Sequence, residues 1–298
     1  MHGYFQESEA LSNQASDDHV SSLAASGRKD CWLIVHGVAG NFYNSSLLNS
    51  ISSRLLLTGA DVLRMNTRGH DAISYFAVGA GSSRCGAAYE MICDGVLDIA
   101  AWVHLLWMEG YRSINLLGHS LGAVKSVLFS SQDTSPGFSE ALNGFMLSRL
   151  VLLSPPRLNS EILGSDPKYA NHYRENLEES QKYCQAGTPE RLITVRYPQP
   201  MTVSAATYID KYGPENNYDY HRFVENISCS TLWCFGEYEV RGPRASFRDA
   251  DDLLKARLET ISSHKQSLAI LLGADHAYTG VRDLLCDSVI EWTKATVQ

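Results

Sequence analysis

Three side chains that could together activate a nucleophile occur along this chain of 298 residues in the order serine, carboxylate, histidine. Ser120 lies in a Gly-His-Ser-Leu-Gly motif at residues 118–122, Glu239 follows one apolar run, and His276 follows the last one. A serine hydroxyl needs a histidine base within hydrogen-bond reach, and the base needs a carboxylate to orient it. We therefore predict acyl-transfer chemistry with Ser120 as nucleophile, His276 as base and Glu239 as acid.

The serine motif lies between an apolar run, residues 114–117, and a helical pattern with Val124, Val127 and Leu128 on one face. This predicts that the serine occupies a strand-to-helix turn. Glycines at both ends of the motif let the strand and the helix pass closely without a Cβ clash, and the hydroxyl then projects above the edge of the sheet. The start of the helix adds a partial positive field that favours a developing negative charge.

An oxyanion also needs two hydrogen-bond donors. The backbone N–H of Leu121, directly after the nucleophile, supplies one, and that of Val38, after His36 and Gly37, is the expected second. Gly37 and Gly40 would let the backbone approach the substrate closely. The sequence therefore predicts an oxyanion hole formed by Val38 and Leu121.

The elements that must position these groups alternate between strands and helices. Six apolar runs have strand length, at residues 31–35, 61–66, 114–117, 150–155, 231–236 and 267–273. Further helical patterns cover residues 47–55, 94–109, 250–261 and 280–296. In the second of these helices the predicted core residues include Leu97, His104 and Leu105. The pattern predicts an α/β fold with a mostly parallel sheet covered on both faces, and ligands bind at the carboxyl ends of such strands.

Composition divides the chain into three parts. Residues 1–29 are polar and rich in Ser and Ala, which predicts a loosely held N-terminal tail. Residues 30–156 and 228–298 form the predicted core. Between them, in residues 157–227, apolar runs shorten and eight of the fifteen tyrosines occur. This stretch predicts a lid inserted over the carboxyl edge of the sheet.

Other polar residues near the predicted strand ends are either rivals for a role in the triad or residues expected to fix loops. Glu237, or a later Asp, is the rival of Glu239 for the role of acid. His36 and His119 do not follow the last strand, so we expect them to fix loops rather than to act as the base. Asp275 adjoins the predicted base, and because neighbouring side chains diverge, it is also expected to fix a loop.

Composition also excludes several classes of protein. The formal net charge of −8 argues against a nucleic-acid partner, whose phosphates select a basic face. No apolar run approaches the about 20 residues that span a bilayer, and no leader pattern is present, so we expect no membrane association and a cytoplasmic location. Seven scattered cysteines indicate reduced thiols. Without metal-ligand spacing or a glycine-rich phosphate loop, no metal and no cofactor are expected.

These motifs resemble those of a known fold family, the α/β-hydrolases. His36-Gly37 is similar to the family's oxyanion loop, residues 118–122 to its nucleophile turn, and His276 to its terminal-loop histidine. Two features depart from the family pattern. The family's acid is commonly Asp, where this chain has Glu239, and the usual first strands have no counterpart in the polar N-terminal segment.

Three shorter stretches resemble one branch of that family, the fungal siderophore (fusarinine-type) ester hydrolases and their bacterial relatives. They are Asn-Thr-Arg-Gly-His-Asp at 66–71, Gln-Lys-Tyr-Cys-Gln-Ala-Gly at 181–187 and Pro-Met-Thr-Val-Ser-Ala at 200–205. By resemblance, these stretches imply a hydroxamate-bearing siderophore ester as a substrate.

Together these features predict a serine hydrolase that cleaves a small-molecule carboxylic ester through an acyl-enzyme. An amidase, a thioesterase, a lactonase or a carbon-carbon bond hydrolase could use the same site, because the fold does not fix the reaction. A non-catalytic ligand receptor with this fold is the alternative from another class. Such receptors usually lack a triad member, whereas this chain carries a candidate for each.

Overall fold

A seven-stranded sheet forms the centre of the molecule. The structure is a computed structural model, and it describes residues 2–8, 30–131, 147–261 and 265–296. The described strands are β1 (Gly3–Gln6), β2 (Asp30–Val35), β3 (Asp61–Met65), β4 (Ser74–Val78), β5 (Gly81–Cys85), β6 (Ser113–His119), β7 (Arg149–Leu153), β8 (Leu192–Val195), β9 (Met201–Ser204), β10 (Ser230–Gly236) and β11 (Gln266–Leu271). The sheet order is β1-β3-β2-β6-β7-β10-β11, and every pair except β1 with β3 is parallel. The predicted, mostly parallel sheet is therefore confirmed.

Helices cover both faces of the sheet because successive side chains of its buried strands point to opposite sides. In β2, Cys31, Leu33 and Val35 belong to the core on one face. Trp32 and Ile34 belong to the core on the other. The described helices are α1 (Ser46–Leu56), α2 (Ile92–Met108), α3 (Leu121–Ser131), α4 (Ser160–Gly164), α5 (Ala170–Gln185), α6 (Ala205–Tyr212), α7 (Glu237–Val240), α8 (Ala250–Thr260) and α9 (Arg282–Ala295). Of these, α2, α3 and α8 pack on the first face, and α1 and α9 on the second.

The N-terminal segment differs from the predicted tail. Residues 3–6 form β1, which pairs antiparallel with β3, so the sheet does have an N-terminal strand. Gly3 packs against Trp102, where a Cβ would lie 2.8 Å from the indole ring, and the Arg64 guanidinium lies 5.1 Å from the ring centroid of Tyr4. The prediction was wrong here because a four-residue strand held by backbone pairing leaves no periodic signal in the sequence. Residues 9–29 of the predicted tail lie outside the described residues.

Between β7 and β10 the chain leaves the sheet and forms the insertion, residues 157–227. It contains α4, α5, the β8–β9 hairpin, α6 and two short 3-10 turns, and α5 packs against α6. Several of its tyrosines are buried and bond to backbone carbonyls: Tyr173 donates to Tyr212 O at 2.6 Å, and Tyr208 donates to Tyr197 O at 3.1 Å. These tyrosines therefore serve first to pack the insertion on itself.

Helix α2 shows where apolar periodicity fails as a guide to burial. Leu97 and Leu105, both predicted to lie in the core, are 54% and 37% exposed, and His104 is exposed as well. The prediction was wrong because α2 is apolar over most of its surface, so its pattern does not single out the side that meets the sheet.

No helix within the described ranges is both long enough and apolar enough to cross a membrane.

A buried charge cluster ties the insertion to the core. The Glu90 carboxylate pairs with Lys125 of α3 through Oε1 and, at 3.3 Å, with Lys211 of α6 through Oε2, and all three side chains are fully buried. Burial alone would raise the pKa of Glu90, but the charges of the two lysines hold it at about 2. A Cβ at Gly69 would overlap the carboxylate, so glycine is required there. Removing the Glu90 charge would leave two buried cations without a counter-charge.

We predict that Glu90→Gln lowers the free energy of unfolding by about 3–5 kcal/mol, because it breaks a buried pair and leaves its partners charged. The matched control is Glu190→Gln, since Glu190 pairs with Arg84 at 2.8 Å while both side chains are exposed. We expect the control to change stability by at most about 1 kcal/mol. Urea denaturation of the two variants and the wild type measures both values. Equal losses in the two variants would contradict a special role for the buried charge.

Candidate active site

Ser120 is the single residue between the end of β6 and the start of α3, and its φ of 56° lies in the left-handed region. A Cβ at Gly118 would lie 2.5 Å from Gly122 O, and a Cβ at Gly122 would lie 2.4 Å from Val35 O. Both glycines are therefore required by close backbone approach. The strained turn lifts the serine hydroxyl out of the sheet, as the motif predicted.

His276 lies in the loop that follows β11, and its Nε2 is 3.0 Å from Ser120 Oγ. The loop is fixed by Asp275, whose Oδ1 accepts the backbone N–H groups of Ala277 at 3.0 Å and Thr279 at 2.8 Å. These backbone hydrogen bonds also lower the pKa of the Asp275 carboxyl. Asp275 thus has the loop-fixing contacts expected of it.

Glu239 is the carboxylate that the fold places beside the histidine. Its Oε1 lies 2.5 Å from His276 Nδ1, which must carry the proton because a carboxylate only accepts. The unprotonated Nε2 then faces the Ser120 hydroxyl. Glu237, the rival carboxylate, instead accepts the Gly273 N–H at 2.8 Å. The structure therefore brings Ser120, His276 and Glu239 together and leaves Glu237 outside the chain of contacts.

Further groups fix the Glu239 carboxylate, and sequence reasoning missed one of them. Its Oε2 accepts the Gly236 N–H at 2.8 Å and the Ser154 hydroxyl at 2.5 Å. The Ser154 hydroxyl also lies 2.8 Å from the hydroxyl of Tyr278. The available signal for Ser154 was its position directly after the apolar run of β7, at the same sheet edge as the other site residues.

The expected oxyanion donors lie beside Ser120. Val38 and Leu121 both line the cavity that contains Ser120, and a Cβ at Gly37 would lie 3.0 Å from Ser120 Cβ. Within the described ranges, no group of the protein accepts a hydrogen bond from the Val38 or Leu121 amide. Both amides are therefore available to a bound oxygen atom.

His36 fixes the loop that carries Val38. Its Nε2 accepts the Thr67 amide proton at 3.1 Å, so Nδ1 carries the ring proton and donates to Gly37 O at 2.7 Å. Burial, together with the charge of Lys125, lowers the pKa of His36 to about 4. The neutral His36 ring therefore makes a hydrogen bond through each of its two nitrogens, and these contacts fit the loop-fixing role predicted for it.

His119 contacts His276, but the ring that faces the Ser120 hydroxyl belongs to His276. His119 Nε2 lies 2.8 Å from His276 O, and the two ring centroids are 4.9 Å apart. Burial, and then the proximity of His276, lower the pKa of His119 to about 4. His119 is therefore neutral near pH 7 and supports the backbone of the His276 loop.

A cavity of about 580 Å³ opens at these groups, and Ser120, His276, Val38 and Leu121 all belong to its lining. Its walls combine prolines and aromatic rings from the core and the insertion, among them Pro156, Tyr169, Tyr197, Pro198, Pro200 and Phe247. The Phe247 and His276 ring centroids are 5.1 Å apart. The cavity therefore has the size and the apolar walls of a small-molecule site. In the described part of the chain, no group of three or more His, Cys, Asp or Glu side chains could hold a metal ion.

Comparison with known proteins identifies the fold. No protein-family model and no curated protein matches the sequence. Among solved structures, a monoacylglycerol lipase from Paleococcus ferrophilus matches with a TM-score of 0.62 at 13% identity, over 100% of both chains. Est1E from Butyrivibrio proteoclasticus with bound ferulic acid matches with a TM-score of 0.61 at 14% identity, over 99% of this chain and 94% of that chain. The α/β-hydrolase GrgF from Penicillium sp. sh18 matches with a TM-score of 0.60 at 15% identity, over 91% of each chain. The chain therefore has the α/β-hydrolase fold.

Proposed function

We propose that this protein is a serine hydrolase that cleaves a small-molecule carboxylic ester through a Ser-His-Glu triad. The proposal rests on one observation, the continuous hydrogen-bonded chain from Ser120 Oγ through the His276 ring to the Glu239 carboxylate, with distances of 3.0 and 2.5 Å. A serine hydroxyl becomes a nucleophile when an oriented base stands ready to take its proton. The likeness in fold to a monoacylglycerol lipase supports the same reaction class.

In the proposed reaction, His276 Nε2 takes the proton of Ser120 while Oγ attacks the carbonyl carbon of the ester. The His276 ring becomes positively charged, and the Glu239 carboxylate at Nδ1–H stabilises that charge. The same ring then gives its proton to the leaving alkoxide, which departs as an alcohol. A water molecule, deprotonated by His276 in turn, releases the acid and restores Ser120.

A tetrahedral intermediate forms in each half of the reaction, and its oxygen from the former carbonyl group carries a negative charge. The Val38 and Leu121 amides are proposed as its hydrogen-bond donors, since both line the cavity beside Ser120. One such donor typically contributes about 3 kcal/mol to stabilisation of the transition state. The partial positive charge at the start of α3 acts in the same direction.

The cavity indicates the class of substrate. Its volume of about 580 Å³ suits a medium-sized ester, and its proline and aromatic walls suit a substrate that is partly apolar. The insertion, residues 157–227, would act as a lid that shapes this cavity. Within the class, the sequence resemblance to siderophore esterases makes a hydroxamate-bearing ester one candidate.

All seven cysteines are free and five are buried, which fits the proposed cytoplasmic setting.

Substitution of the triad tests the proposal directly. We expect Ser120→Ala to lower kcat for 4-nitrophenyl acetate by a factor of about 10⁴ to 10⁶, and Glu239→Gln by about 10³ to 10⁴. Intact-mass analysis after exposure to a fluorophosphonate should find one adduct on the wild type, none on Ser120→Ala and slow labelling of Glu239→Gln.

The matched control for this experiment is Glu237→Gln, which changes the neighbouring carboxylate that bonds to Gly273 N. We expect it to retain activity within about threefold, because that carboxylate is outside the proton-transfer chain. A larger loss in Glu237→Gln than in Glu239→Gln would assign the acid to Glu237. Equal labelling of Ser120→Ala and the wild type would exclude Ser120 as the nucleophile.

Ser154 is predicted to act as a positioning residue for Glu239. Ser154→Ala removes one hydrogen bond to a buried carboxylate, and we expect kcat to fall about tenfold at nearly unchanged KM. The rate of fluorophosphonate labelling should fall in parallel. Ser52→Ala is the matched control, because Ser52 is a buried serine whose hydroxyl donates to Leu48 O in α1. An unchanged labelling rate in Ser154→Ala would contradict the role given to this hydroxyl.

A further inference from the structure

The lining of the cavity is basic although the chain is acidic. The formal net charge of the protein is −8, yet Lys168, Arg196, Arg244 and Arg248 all line the cavity. Asp166 is the one acidic residue among the described lining residues. With His276 neutral, the lining therefore carries a net charge of +3.

These four cations differ in their partners from seven of the other described arginines. Within the described ranges, none of the four forms an ion pair with a carboxylate. Arg248 donates to Pro243 O at 2.8 Å, and Lys168 Nζ lies 4.9 Å from the ring centroid of Tyr169. By contrast, seven arginines elsewhere do form ion pairs with Asp or Glu, namely Arg54, Arg68, Arg84, Arg149, Arg157, Arg241 and Arg257. No carboxylate among the described residues is thus ion-paired with the cations at the cavity.

Asp166 is committed to other contacts. The residue is 3% exposed, its Oδ1 accepts the backbone N–H groups of Lys168 at 2.9 Å and Tyr169 at 3.1 Å, and its Oδ2 accepts the Tyr197 hydroxyl at 3.3 Å. These bonds fix the turn that carries Lys168. The Asp166 carboxylate therefore organises one wall of the cavity and makes no ion pair with its cations.

The four cations come from two separate parts of the chain. Lys168 and Arg196 belong to loops of the insertion, and Arg244 and Arg248 to the segment between α7 and α8. That segment also carries Phe247, whose ring packs against His276. Exposed basic residues from both parts of the chain thus line the cavity that contains Ser120 and His276.

We propose that the ester substrate carries a carboxylate in addition to its scissile bond, and that these four cations bind it. This inference rests on the proposed ester hydrolysis. Guanidinium groups present donors that match a carboxylate, and a cavity lined by one sign of charge raises the local concentration of ligands of the opposite sign. The reaction stays a hydrolysis: water is consumed, the acyl-oxygen bond breaks, and the second carboxylate leaves unchanged on one of the two products.

Two matched pairs of esters test the proposal, one for each side of the scissile bond. Mono-4-nitrophenyl adipate is compared with 4-nitrophenyl hexanoate, and 4-acetoxybenzoate with its methyl ester, after correction for spontaneous hydrolysis. We expect kcat/KM to be about tenfold higher for the anionic member of at least one pair at about 20 mM salt. That preference should decline as added salt screens the exposed charges.

Charge removal gives the decisive comparison. Arg244→Gln/Arg248→Gln and Lys168→Gln/Arg196→Gln should each lower the ratio of anionic to neutral kcat/KM about fivefold to tenfold. The control is Arg112→Gln/Arg174→Gln, because both of these arginines are exposed and neither lines the cavity. A ratio unaffected by salt and by both lining variants would overturn the proposal.

A binding measurement separates failure of this inference from failure of the proposed function. Calorimetry of Ser120→Ala with monomethyl adipate needs no turnover, and we expect salt-sensitive binding that weakens in the lining variants. If the wild type hydrolyses no ester but this binding occurs, the carboxylate site stands and the hydrolase proposal falls. If esters are hydrolysed without anionic preference and monomethyl adipate does not bind, only the carboxylate site is excluded.

Discussion

A buried carboxylate, Glu90, holds together the parts of the molecule that meet at the site. Its partners, Lys125 and Lys211, lie on the helix that follows Ser120 and in the insertion. Lys125 also donates to Thr67 Oγ1 at 3.1 Å, and the Thr67 amide donates to His36, which fixes the loop that carries Val38. Because buried charges lose their water, each must keep its protein partner. One charge cluster therefore links α3, the insertion and the loop that carries Val38.

Two of the buried carboxylates, Glu90 and Glu239, are held in different ways, and the difference suits their positions. Glu90 is compensated by the ammonium groups of two lysines. Glu239 is held by hydrogen bonds from Gly236 N, Ser154 Oγ and His276 Nδ1, and no lysine or arginine of the described residues pairs with it. A lysine or arginine partner would already satisfy the charge of Glu239. The Glu239 charge is instead available to the imidazolium that forms transiently in the proposed reaction.

The sequence could predict those features of the fold and of the site that depend on local patterns of apolar and polar residues. Apolar runs and the residues directly after them place the serine, the carboxylate and the histidine at one edge of a parallel sheet. Pattern could not choose between Glu237 and Glu239, because both lie in the four-residue helix α7 and only the position of the histidine loop distinguishes them. Ser154 was missed because Glu239 is 85 residues away, and Glu90 because Lys125 and Lys211 are 35 and 121 residues away. Residues 3–6 were missed because their strand is specified by β3, its partner, and by no period of its own.

The protonation state of His36 links the charge cluster to the loop that carries Val38. His36 Nε2 can accept the Thr67 amide proton only while that nitrogen is unprotonated. An imidazole with an ordinary pKa of about 6.5 would be partly protonated in mildly acidic solution. Burial and the positive charge of Lys125 lower the pKa of His36 to about 4, so the ring keeps its acceptor. Lys125 therefore supports the loop carrying Val38 in two ways: it donates a hydrogen bond to Thr67, and its charge adds to the effect of burial in keeping the His36 ring neutral.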